Sequence, residues 1–233
     1  MSPFEPIHIH PTAPLAESVL LPGDPGRALA LAQALLERPL MFNHHRGLWG
    51  YTGTSQSGLD VTIQSTGMGG PSCAIVVHEL LELGMRRAIR VGSCGALDGE
   101  LQLGDLLVAR EALCADGTSR SLGAGPRAGA DPTLAAALER ASPPARPGAV
   151  VSVDLFYRSS HPGDGNDALA VEMESATLFA LGALAPVPVA SMLAVSDLLH
   201  PEGGRQRITD SALAEAALRM GAAALQALTD VSC

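Results

Sequence analysis

SVLLPGDPGRALALAQALL, residues 18 to 36, decides the fold. Ser18 to Leu21 is a short, mostly apolar run, Pro22 to Gly26 reads Pro-Gly-Asp-Pro-Gly, and Arg27 to Leu36 carries apolar residues at helical spacing. The stretch therefore reads as strand, glycine-bearing turn, helix. Outward from it, the same alternation recurs along the chain. Two β-prone runs, LWGYTGT and LDVTIQS, are separated by Ser-Gln-Ser-Gly, which suits a hairpin. A GMGG cluster then precedes Pro71, a good first-turn residue for a helix that runs to about Leu83 and stops at Gly84.

RAIRVGS is predicted as a short strand ending in a glycine-bearing loop, Gly92 to Gly95. Further buried strands are expected at Asp105 to Leu113, Ala149 to Val153 and Val187 to Val195. Helices are expected at Pro132 to Arg140, Glu174 to Leu184 and Ser211 to Leu228, with loops at Gly123 to Pro132 and Ser142 to Gly148. This pattern predicts an α/β protein with a mixed central β-sheet flanked by helices. With 233 residues and no convincing linker or repeat, the whole chain is expected to form a single domain.

Composition narrows the function. All 15 basic residues are Arg, and the net charge is −9, which argues against a general nucleic-acid or anionic-membrane surface while leaving room for a small anion held by a local Arg cluster. Cys73, Cys94, Cys114 and Cys233 are scattered without C-x-x-C spacing, so neither a disulfide scaffold nor a zinc site is expected, and a reducing cytosol is the simplest compartment. The N-terminus has no signal-like pattern and no apolar run approaches the ~18 residues of a membrane span.

Ligands of α/β sheets gather beyond the carboxyl ends of strands, and three predicted strand ends carry polar or glycine clusters: LLPGDPGR, IRVGSCGAL and LAVSDLL. In the first two, Gly23 allows close backbone approach, Arg27 and Arg90 offer paired hydrogen bonds to an anion, and Ser93 adds a hydroxyl and an N–H. Taken alone, Gly-Asp-Pro-Gly is more often only a turn. In VEMES, Glu172 and Glu174 precede an Ala-rich helical run; one carboxylate there suits two adjacent sugar hydroxyls, while the plainer role is a helix N-terminus. Ser196-Asp197 ends an apolar run, where the carboxyl is placed either to act as a general acid or to cap a helix. His8 with His10, and His44 with His45 and Arg46, form basic patches that complete no metal site.

In their order, LLPGDPGRA, HRGLWGYTGT, STGMGGPSCAI, IRVGSCGAL, DLFY, VEMESA and VSD closely resemble the hexameric-type nucleoside phosphorylases, the family of bacterial purine nucleoside phosphorylase and uridine phosphorylase. The resemblance runs from Pro6 to beyond Arg205. It implies a phosphate site of Gly23, Arg27, Arg90 and Ser93, completed by Arg46 of a neighbouring subunit. It implies a ribose site of Met173 and Glu174, with His8 of a neighbour reaching the 5′-hydroxyl. Phe156, Val171, Glu172 and Ser196 match the base pocket, Asp197 matches the acid that protonates a departing purine, and Arg205 matches its assisting arginine. No metal or organic cofactor is implied, inorganic phosphate being a co-substrate, and the assembly implied is a homohexamer with shared sites.

Within that family the chain resembles the purine enzymes more than the uridine enzymes. YRSSHPGDGNDALA after Phe156 lacks the Gln-x-Arg of the uridine enzymes, which also lack the acid matched by Asp197. Arg158 keeps a pyrimidine base as the runner-up. Arg27, Arg46 and Arg90 favour phosphate over the water used by related nucleosidases, and retention of Arg27, Glu174 and Asp197 disfavours a non-catalytic binding protein. The stretch from Tyr157 to Val171 looks short for the family, and Gly204 stands before Arg205 where the family often has Glu.

Overall fold

A computed structural model describes residues 4–157, 162, 167–200 and 204–232. The opening stretch folds as its sequence dictates: β1 (Ser18–Leu21) runs into a turn in which the Asp24 carboxylate accepts the Gly26 N–H at 2.7 Å, and Pro25 begins α1 (Pro25–Leu35). The chain then turns directly into β2 (Leu36–Asn43), a strand that the sequence does not announce because Pro39 interrupts it. Its position explains the tolerance: β2 is the outermost strand, and its pairing shifts register between Glu37 and Leu40.

The expected hairpin is β3 (Gly50–Ser55) and β4 (Asp60–Gln64), followed by α2 (Gly70–Leu83). β5 (Arg87–Ala96) does not stop at Gly92; the predicted loop is strand, because β5 is hydrogen-bonded along both edges. After it come β6 (Leu106–Cys114), a short α3 (Gly117–Ser121), β7 (Arg127–Gly129), α4 (Pro132–Ala141) and β8 (Arg146–Ser152). The last elements are β9 (Ala170–Glu172), α5 (Ser175–Leu184), β10 (Val189–Leu199), β11 (Arg205–Arg207) and α6 (Asp210–Asp230). β7 lies inside a stretch predicted as loop, β8 starts two residues before the predicted loop ends, and β10 carries Ser196 and Asp197 within the strand rather than at a helix cap.

All these strands belong to one mixed sheet. β4, β1, β5 and β10 run parallel side by side, and β3 and β2 add antiparallel strands at one end. β10 also pairs with β6, β6 with β8, β8 with β9, and β9 with β5, so five strands close into a ring. Side chains alternate across the sheet and divide the interior in two. Leu20, Ile89, Val91, Met192 and Ala194 pack under α1, α4 and α6 with Leu31, Leu134 and Ala224. Val19, Leu21, Ala88, Leu193 and Val195 pack under α2 and α5 with Val76, Leu80, Leu178 and Phe179. Arg90 has the same strand parity as Ala88, which places the guanidinium on the α2 and α5 side. Among the described residues, no helix is long and apolar enough to cross a membrane.

Candidate active site

The site is built around a buried carboxylate. Glu172, at the end of β9, is enclosed: its side chain has no exposed surface. It accepts the N–H groups of Glu174 at 3.0 Å and Ser175 at 2.9 Å, and thereby caps α5. The Ser152 hydroxyl donates to it in a short bond, and Arg90 Nε donates at 3.1 Å. Arg90 Nη2 lies 2.5 Å from Glu174 Oε2, while Glu174 Oε1 accepts the Gly69 N–H at 2.5 Å. Gly69 stands just before α2 with φ 85°, a left-handed conformation that glycine adopts without a steric cost and that directs its N–H to the carboxylate.

Two buried carboxylates around one guanidinium shift the ionisation of their neighbours. Burial opposes charge on Arg90, but Glu174 and Glu172 more than offset it and push its pKa up. Burial pushes Glu174 up, with Glu172 adding to the rise against the pull of Arg90. Arg27, half-buried, is pushed down by burial and by Arg90, with Asp24 and Glu174 opposing. Its Nη1 donates to Val91 O at 3.4 Å. A Cβ at Gly92 would stand 2.6 Å from the Arg90 guanidinium carbon, so the absence of a side chain there gives Arg90 its place. Gly23 borders the same group: a Cβ on it would lie 3.1 Å from Gly67 O and 4.0 Å from Arg90 Nη1. Gly23, Arg27, Arg90 and Glu174 are thus brought together, and Ser93 lies half-buried further along β5.

The second part of the site lies across the ring. Gly95 of β5 pairs with Val171 of β9 on one side and Asp197 of β10 on the other, so Val171 and Asp197 are two strand spacings, about 10 Å, apart. The Ser196 hydroxyl donates to Asp197 Oδ2 at 2.7 Å, and its oxygen also lies 3.2 Å from Cys94 O. Among the described residues Asp197 Oδ1 is buried without a hydrogen-bond partner, and Arg205 Nε lies 3.7 Å from it. Such an orphaned oxygen costs roughly 1–3 kcal/mol of desolvation and asks for a partner from outside the chain. Arg205 also stacks over the Phe156 ring, 4.2 Å from its centroid, and Phe156 is 47% exposed, a large apolar surface at the mouth of the site. Met173 and Val171 pack with Val151, Val153 and Ala168 below.

One of the sequence-derived assignments looks different in three dimensions. The Glu172 side chain offers nothing to a base; it anchors Arg90 and Glu174 instead. His8 and Arg46, assigned to a neighbour's site, make no hydrogen bond or ion pair with Glu174 of their own chain among the described residues. The His8 Nδ1 is 2.7 Å from Glu79 Oε1 on α2, and Arg46 is exposed in a single 3-10 turn, with φ 56°. Arg158 lies outside the described residues. Gly69 and Gly92 were read only as turn or loop glycines and Ser152 and Glu79 were given no role, although Glu79, three residues after buried Val76 on the same helix, carries a readable signal. Among the described residues no cluster of His, Cys, Asp or Glu is placed to hold a metal ion. Cys73, Cys94 and Cys114 are free and buried, and burial pushes each thiol up, which makes them inert.

Residues 17–230 match the family model described as phosphorylase superfamily. A "purine nucleoside phosphorylase DeoD-type" of Alkaliphilus metalliredigens is 39% identical, the match covering 81% of this chain and 85% of the relative. Proteins of the same description from Bacillus thuringiensis and Bacillus cereus are 40% identical over 78% of this chain and 82% of theirs. With a family model spanning most of its length and relatives this similar, the chain belongs to the phosphorylase superfamily.

Proposed function

We propose that this protein cleaves purine nucleosides with inorganic phosphate, releasing the free base and a pentose 1-phosphate. The observation that carries the reading is that β5 bears Arg90 of the cationic cradle and, further along at Gly95, pairs with Asp197, whose buried Oδ1 has no hydrogen-bond partner among the described residues. The names of the similar proteins point the same way. Phosphate sits against Gly23, Arg27, Arg90 and Ser93; Glu174, with Met173, holds the sugar; Phe156 and Val171 line the base; Asp197, Ser196 and Arg205 serve the leaving group.

The chemistry follows from charge. As the C1′–N9 bond breaks, its electron pair goes to the base and positive charge grows on C1′, where a phosphate oxygen forms the new bond. Asp197 gives a proton to the departing purine at N7, worth about 10²–10⁴ in rate, and regains one through solvent from the phosphate that has been esterified. Phosphate, sugar and base are aligned by groups fixed on one sheet, which supplies the proximity contribution. No metal or organic cofactor enters these steps.

Two groups come from another copy of the chain. Gly69 touches Glu174 at the start of α2, and Glu79, which holds His8, lies ten residues further along that helix, about 15 Å away at 1.5 Å per residue. That exceeds the width of one sugar and keeps His8 away from its own subunit's Glu174, which agrees with the role in a neighbour's site that the family resemblance implies. Arg46 travels with it, because His45 Nδ1 lies 3.2 Å from His8 O. Arg46 holds a left-handed backbone that costs a non-glycine residue of order 1 kcal/mol, a strain consistent with a residue presented to a partner. The assembly proposed is the homohexamer, acting in the cytoplasm on small molecules.

The reading is tested by base release from adenosine, inosine, guanosine, uridine and methylthioadenosine, each with and without phosphate. Purine release that requires phosphate is expected; uracil release, or release that ignores phosphate, overturns it. Arg46→Ala is expected to raise the phosphate KM by roughly tenfold or more, the value of one charge-assisted contact, although Arg46 lies outside its own subunit's site. An unchanged phosphate KM removes Arg46 from the phosphate site.

A further inference from the structure

We propose that Glu79 is a positioning residue that fixes the His8 imidazole as a hydrogen-bond acceptor for the 5′-hydroxyl of a nucleoside bound in the neighbouring copy, and so sets selectivity for that hydroxyl. The proposal rests on the reading above, in which His8 serves a neighbour's sugar.

Glu79 lies on α2 and is 5% exposed. Its two oxygens collect four donors from one short segment: the N–H of Ile7 at 3.1 Å, of His8 at 3.0 Å and of Ile9 at 2.7 Å, and His8 Nδ1 at 2.7 Å. Burial opposes its charge, but the bonds from His8 and from the three backbone N–H groups hold the carboxyl below its ordinary range. An ionised carboxylate only accepts, so the proton of the neutral imidazole resides on Nδ1 and Nε2 is left as an acceptor. Among the described residues Nε2 makes no hydrogen bond within the chain, and the ring is one-quarter exposed, at 26%. The group it recognises must bring a proton, which a 5′-hydroxyl does and a 5′-methyl or 5′-thioether does not.

The backbone around His8 is fixed from the other side as well. Asn43, fully buried at the end of β2, accepts the His10 N–H at 2.9 Å and the His45 N–H at 3.3 Å and donates to Leu48 O at 2.5 Å. The His10 and His45 rings stack at 3.8 Å. Residues 7–10 and the turn that bears Arg46 are therefore one unit, linked to α2 by Glu79, the side chain that among the described residues contacts a His8 ring nitrogen.

The test compares kcat/KM for inosine and 5′-deoxyinosine at saturating phosphate in the wild type, His8→Ala and Glu79→Gln. An amide at position 79 is able to donate to Nδ1 and so to invert the tautomer. The wild type is expected to prefer inosine by about tenfold, the scale of one neutral hydrogen bond, and Glu79→Gln is expected to lose that preference through a higher inosine KM, with 5′-deoxyinosine turnover retained. Parallel losses for both substrates, or a preference that survives in Glu79→Gln while His8→Ala abolishes it, overturn the role of Glu79. No effect of His8→Ala overturns the underlying reading of His8 instead. If Glu79→Gln fails to fold, the 15N resonances of His8 in the wild-type protein decide: a hydrogen on Nδ1 supports the proposal, and a hydrogen on Nε2 refutes it.

Discussion

Asp197→Asn lowers kcat for inosine by about 10²–10⁴-fold, yet costs 7-methylinosine, whose cationic base departs without a proton, less than about tenfold. The asparagine has nearly the same shape and keeps an oxygen for Ser196, but it has no proton to transfer. Stability is the control for this experiment. Asp197 touches Arg205 only at 3.7 Å and Arg205 is one-third exposed, so losing that pair changes stability by no more than about 1 kcal/mol. A rate loss shared equally by the two nucleosides, with unfolding unchanged, removes Asp197 as the acid and leaves it a positioning role.

Glu172→Ala has the other large effect, and it falls on folding and activity together. The carboxylate is fully buried and holds Arg90, Ser152 and the first N–H groups of α5. Removing one partner of a buried ion pair costs up to about 3–5 kcal/mol, because Arg90 is left with Glu174 alone in a dry place. At about 2–4 °C per kcal/mol for a chain of this length, Tm falls by about 6–20 °C. Phosphate addition recovers part of the loss, since an anion against Arg90 replaces the missing charge and ligand binding stabilises the folded state. Glu172→Gln retains acceptor capacity for the N–H groups and loses less. Equal stability of Glu172→Ala and the wild type in a thermal melt contradicts the anchoring role.

The alternation of strand, turn and helix was legible because local chemistry enforces it: Asp24 caps α1, Asp131 caps α4, and Thr209 caps α6. The parts that escaped a sequence reading are those decided by partners distant in the chain. Gly92 to Gly95 looks like a loop until β9 and β10 are seen to flank it, and β2 looks broken by Pro39 until it is seen at the sheet edge. The same division holds for the site. Motif order singled out Arg27, Arg90, Glu174 and Asp197, and the fold brings Arg90 and Glu174 into contact. Glu172 was misread because its surroundings come from residues 20 positions earlier at Ser152 and 82 positions earlier at Arg90. Glu79 drew no sequence assignment, because only the folded N-terminal segment gives it something to hold.

The ring formed by β5, β10, β6, β8 and β9 has a bearing on how such a protein acquires new substrates. Every strand in it is paired on two sides, so the scaffold offers no seam at which an added segment could intrude without breaking a ladder. The connection over residues 153–169 leaves the ring after β8, and the one over residues 200–204 leaves it after β10, next to Asp197. Neither connection is part of the ladders that hold Arg90, Glu172 and Asp197 in register. On the function proposed above, a change of base preference is thereby expected from the connections between strands, with the ring inherited whole.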